Sequence, residues 1–162
     1  MKKMTLSLTA VFIAVALLMT SCGKTNSSTS GGGTVTFTGN GTNYSYPAND
    51  GMLGITAANT NRVSSADATA GTNNQLILST PHASGTYSWS ASGYGASIEL
   101  LKNGSTLYYT YNANGASNGS VTVTISGNTA TATFNGTVYN LTNASDSVVI
   151  TNGHFSGKYY TS

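Results

Sequence analysis

The sequence is poor in nearly everything that active-site chemistry draws on. Its 162 residues include one cysteine, one tryptophan, two prolines and two histidines, and only 6 % of positions are charged. A single thiol excludes an internal disulfide framework and any cysteine-based zinc cluster. His82 and His154 show neither HxH nor HxxxH spacing, so no metal site is expected. Six Lys and Arg residues cannot form the basic stripe that nucleic acid requires, and nucleic acid is excluded as a partner. There is no G-x-S-x-G elbow and no local Ser-His-Asp arrangement, so no catalytic residue is assigned. The fragment Gly23-Lys24-Thr25 ends like a phosphate-binding loop, but it lacks the earlier glycine, the strand before and the helix after. No cofactor is expected. Only one long apolar run exists, inside Met4–Thr20, and its roughly 15 apolar residues fall short of the ~20 that a membrane span needs.

What is present begins with that run. Met1-Lys2-Lys3 precedes it and small residues lead from it to Cys22, the layout of a secretory signal segment. The order Leu18-Met19-Thr20-Ser21-Cys22 resembles a bacterial lipobox, and "SCGK" is similar to the lipoproteins of the Bacteroidota. The resemblance implies cleavage before Cys22 and diacylglycerol on its thiol. Each buried methylene contributes about 0.8 kcal/mol, so two or three acyl chains hold a protein stably on a bilayer. Residues 1–21 therefore read as signal peptide, 22–33 as the lipidated cysteine and a Ser/Thr/Asn/Gly tether, and 34–162 as one folded domain. In the mature chain Lys24, Arg62, Lys102 and Lys158 balance Asp50, Asp67, Glu99 and Asp146. Gly23 lacks the aspartate that retains enterobacterial lipoproteins at the inner membrane, which by that resemblance argues against inner-membrane retention. No acid precedes Asp50, which favours the periplasmic face of the outer membrane over the cell surface.

From residue 34 onward Thr, Ser, Val and Tyr alternate in short runs. Asn-Gly or Asp-Gly pairs fall at 40–41, 50–51, 103–104, 114–115, 118–119, 135–136 and 152–153. Such pairs between alternating runs are the strongest local hairpin signal. An all-β domain of about ten strands is expected, built as a two-sheet antiparallel β-sandwich, with a closed antiparallel barrel as the alternative. Two-residue loops at Gly127-Asn128 and Asn135-Gly136 predict a three-strand meander. It pairs Ile125 with Ala130, Val121 with Phe134 and Ala132 with Tyr139. A loop at Asn103-Gly104 pairs Leu100 with Leu107 and Ile98 with Tyr109, putting Tyr109 and Tyr111 in the core. Asn152-Gly153 predicts either a hairpin or one bulged strand. Earlier strands are expected at 34–38, 43–46, 53–57, 75–80 and 85–90. The polar stretch 58–74 reads as a long loop, with at most one helical turn. The "GTYSW" segment, 85–89, and the ending "SDSVVITNGHFSG", 145–157, resemble uncharacterised small β-domain lipoproteins of the Bacteroidota, a resemblance that implies fold and no catalytic residues.

The aromatics are the main functional lead. Tyr and Trp faces beside Asn, Ser and Thr suit sugar rings and their hydroxyls, and Trp89, Tyr94 and Tyr108 are the candidates for an exposed platform. The expected role is non-catalytic binding, with a glycan as ligand and the membrane held through the lipid on Cys22. A structural or assembly subunit is the alternative, and a hydrolase using Glu99 the third reading. Asp146-Ser147-Val148 matches the short Bacteroidota O-glycosylation pattern, with Ser147 as acceptor.

Overall fold

The computed structural model describes residues 31–67, 71–91, 95–143 and 145–162. The signal segment, Cys22, the tether as far as residue 30 and Tyr94 lie outside the described residues. Eleven strands follow one another: β1 (Gly33–Gly39), β2 (Thr42–Pro47), β3 (Met52–Ile55), β4 (Thr60–Ala66), β5 (Gln75–Pro81), β6 (Gly85–Ser88), β7 (Ser97–Lys102), β8 (Thr106–Tyr109), β9 (Asn118–Ser126), β10 (Thr129–Asn140) and β11 (Ser147–Thr161). The fold is all-β, as expected.

The strands form two layers. One is a six-stranded antiparallel sheet in the order β2-β1-β11-β10-β9-β6. The other is a five-stranded antiparallel meander, β3-β4-β5-β7-β8. Backbone pairing joins them at three places among the described residues: the end of β11 runs parallel to β3, the end of β10 pairs with β8, and Trp89 after β6 bridges Ala96 before β7. The architecture is a two-layer sandwich, as expected, and these pairings together with β10–β11 close the ring β11-β3-β4-β5-β7-β8-β10 that the barrel alternative called for. The β11–β3 contact makes it mixed rather than wholly antiparallel.

Period-two alternation explains why the layers close on each other. Inward positions of the first sheet supply Val35, Phe37, Val121, Val123, Ala130, Ala132, Phe134, Val138, Ile150 and Phe155, all buried. The meander answers with Met52, Val63, Leu76, Leu78, Ile98 and Leu100. Each large side chain removed from water contributes about 1.5–3 kcal/mol. The outward face of the six-stranded sheet is a lattice of small hydroxyl residues. One cross-strand row reads Thr86, Thr122, Thr133, His154, Thr36, Ser45. Threonine suits such a face because its branched side chain fits the pleat and its hydroxyl meets water.

Three expectations are corrected and one open alternative is decided. The β9–β10 register is as read, with Ile125 opposite Ala130 and Val121 opposite Phe134. The second meander turn, however, does not form: β10 runs straight through Asn135-Gly136 and pairs with β11 instead. Gly136 faces Gly119 across the ladder, and a Cβ on either would collide with the Trp89 indole. These glycines are spent on close packing, not on turning. At Asn103 the loop holds three residues, with Lys102 opposite Thr106, so Leu100 faces Tyr108 and Glu99 faces Tyr109. That one-residue slip moves Tyr108 inward and Tyr109 outward. Residues 60–66 are strand β4 rather than loop. Its inward polar residues are paired: the Asn61 side-chain amide donates to the Pro81 carbonyl at 2.8 Å, and the Ser65 hydroxyl to the Leu76 carbonyl at 3.0 Å. A single 3-10 turn, Thr56–Ala58, precedes it. Of the two readings at 152–153 the bulged strand holds. Asn152, at φ 52, is the extra residue of β11, and both neighbouring strands shift register beside it.

Candidate ligand cleft

The slipped β7–β8 hairpin creates the candidate site. Leu107 and Tyr109 point outward along β8, and Tyr111, just past the strand in a bridge with Ser117, lines the same cleft. The Tyr109 and Tyr111 rings lie 5.6 Å apart with their planes at 34°. Beside them Thr60, Ser79, Ser90 and Ser97 add hydroxyls and Glu99 adds a carboxylate, lining a cleft of about 270 Å³. The Tyr109 hydroxyl is pushed above its ordinary range by burial first, then by the charges of Glu99 and Tyr111. It stays protonated and can both donate and accept a hydrogen bond. On its other side Tyr109 borders a second hollow with Leu107, Asn140 and Leu141. The combination is flat aromatic surface, neutral hydroxyls and one acid, which can stack on a ring and hold its polar edge.

Two of the residues expected to form the platform, Trp89 and Tyr108, lie elsewhere, and the third, Tyr94, is outside the described residues. Trp89 is 3 % exposed and Tyr108 5 % exposed, so neither offers a surface. Trp89 packs over Gly119 and Gly136, where it covers bare backbone. Its ring nitrogen and the buried Thr110 hydroxyl have no hydrogen-bond partner among the described residues. Tyr108 is held in the core while its hydroxyl reaches the corner of the sandwich and donates to Asp146 Oδ2 at 2.9 Å. Asn140 donates to the same oxygen at 3.1 Å, and Lys102 sits 5.9 Å from the Tyr108 ring centre. The Asn140 and Tyr108 hydrogen bonds hold the Asp146 carboxyl below the usual carboxylate range. Burial, then the Asp146 hydrogen bond and charge, push Tyr108 up to about 12.

Glu99 does reach the cleft, and it is the only acid among the described lining residues. His82 lies apart, with Nε2 2.9 Å from the Tyr159 hydroxyl, and His154 is exposed on the threonine face. No group of three or more metal-ligating side chains occurs among the described residues. Ser147 opens β11, half-buried, with its backbone carbonyl accepting from the Asn40 amide at 3.1 Å. The outward direction of Tyr109 was missed because adjacent Leu100 and Leu101 satisfy either register equally well. The signal was Ser105, which extends the Asn103-Gly104 pair to a three-residue loop.

No protein-family model matches this chain, no curated protein is similar to it, and no solved structure matches its fold. The functional reading therefore rests on the site itself.

Proposed function

We propose that the chain is a lipid-anchored, non-catalytic binding domain of the bacterial cell envelope, and that the Tyr109–Tyr111 cleft takes a carbohydrate. The observation that carries the reading is the outward aromatic pair beside Glu99, Ser79 and Ser97. Aromatic faces stack on the C–H surface of a sugar ring, and the carboxylate and hydroxyls bond its edge. A glycosidase needs two carboxyl groups flanking the bond it cuts, and the described lining supplies one. That supports recognition over hydrolysis.

On the meander's outer face a cross-strand row runs Tyr160, Leu53, Arg62, Ser79, Ser97, and the tether joins at its Tyr160 end, where the Gly32 carbonyl accepts from the Lys158 amide. An assembly role has less support, because the two outermost strands, β2 and β6, are short and β2 ends in Pro47.

A glycan array probed with residues 23–162 tests the reading. The parent should bind a defined set of glycans, and Tyr111→Ala should weaken binding about tenfold or more, as loss of a central aromatic contact does. Glu99→Gln should change the preferred glycan while the fold stays intact. An array with no bound glycan for the parent would refute the carbohydrate assignment.

A further inference from the structure

The corner where β11 meets β3 is not built like the rest of the surface. Tyr160 is 46 % exposed and Leu53 38 % exposed, and they are direct partners on the parallel β11–β3 ladder. Arg62 lies opposite Leu53 on the next strand, and Lys158 shares Tyr160's face two residues earlier. An aromatic, an aliphatic and two cations thus stand together on an outer surface otherwise dominated by Thr, Ser and Asn. The acid nearby is Asp50, exposed in the β2–β3 turn. Lys158 and Tyr160 also line a hollow of about 700 Å³ shared with the Gly127–Thr129 turn.

This is also where the chain from Cys22 arrives. The Gly32 amide donates to the Asn49 carbonyl at 3.1 Å, which fixes the entry point beside the corner. Between Cys22 and Gly31 there are nine residue steps, which reach at most about 32 Å even fully extended. An acylated Cys22 would keep this corner within that distance of the lipid surface. Tyr with Lys and Arg is the composition that settles at the boundary between headgroups and acyl chains, where a ring finds apolar surface and its hydroxyl finds water.

We infer that the Tyr160–Leu53 corner docks back onto the bilayer that holds the lipid, with Lys158 and Arg62 reaching anionic headgroups. The domain then stands in a fixed orientation instead of turning freely on its tether. This rests on the lipid-anchor reading of Cys22.

The test uses the mature acylated protein in vesicles of phosphatidylethanolamine and phosphatidylglycerol doped with brominated lipid. Tyr160→Trp and Thr122→Trp serve as reporters, the latter on the exposed face of β9, with buried Trp89 a constant background. Docking predicts that Tyr160→Trp is quenched roughly twofold or more relative to Thr122→Trp, as an interfacial residue should be. Adding Leu53→Asp should erase that difference. Equal quenching of both reporters, in protein that still floats with the vesicles, would overturn docking and leave the anchor standing. Protein that does not float would remove the anchor and the docking with it.

Discussion

At the scale of single residues, the glycine pair at Gly119 and Gly136 matters more than any titratable group. Both adopt positive φ, 155° and 143°, and together they open the slot that Trp89 fills. Gly136→Ala would push a methyl into the indole and into the β9 backbone. A loss of about 2–3 kcal/mol is expected from overpacking and backbone strain. Thermal melting checks it, together with a red shift of the single tryptophan's emission as the ring is displaced; an unchanged melt would contradict the packing described. Asp146 gives a prediction with a sign. Its folded carboxyl titrates below the ordinary value of about 3.9, so its contribution is present at neutral pH. That contribution is lost as pH falls below the ordinary value and through the folded one. Tyr108, raised to about 12, contributes below its ordinary value near 10 and loses that contribution as pH rises towards 12. Melting temperature against pH should therefore fall less steeply on the acid side in Asp146→Asn than in the parent. Parallel acid limbs would mean the hydrogen bonds from Asn140 and Tyr108 do not favour the ionised form.

At the scale of elements, legibility followed side-chain alternation and failed where two residues competed for one direction. The β9–β10 pairing was readable because Val121, Val123, Ala130, Ala132 and Phe134 allow one register only. Leu100-Leu101 allowed two, and the wrong one placed Tyr109 in the core. Strand β4 was unreadable because its inward residues include Asn61 and Ser65, polar side chains whose partners arrive from β5. Asn-Gly pairs misled for a different reason. The pairs at 40–41 and 103–104 turn the chain, whereas those at 118–119, 135–136 and 152–153 lie inside strands and make room for Trp89 and Phe134. Asn152 sets the β11 bulge from the left-handed region, which asparagine tolerates and β-branched residues do not. Asn152→Val should cost about 1–2 kcal/mol in chemical denaturation, and Asn152→Gly close to nothing. Equal losses for both would move the cause from backbone conformation to the asparagine side chain.

At the scale of the whole molecule, the sandwich separates two surfaces that differ in chemistry. The threonine lattice and short edge strands keep most of the surface neutral, hydrated and unsuited to strand addition. Against that background the Tyr109–Tyr111 cleft and the Tyr160–Leu53 corner stand out. The sequence shows the tyrosines as a set. Which of them face water depends on register and on glycine slots, and these are properties of strand pairing. The most direct measurement is backbone amide chemical-shift mapping of labelled residues 23–162 against pooled envelope oligosaccharides. The proposed site predicts perturbations confined to residues around Ser79, Ser97–Glu99 and Tyr109–Tyr111, and their loss in Tyr111→Ala. Shifts that cluster on the threonine face, or none at any concentration, would contradict it.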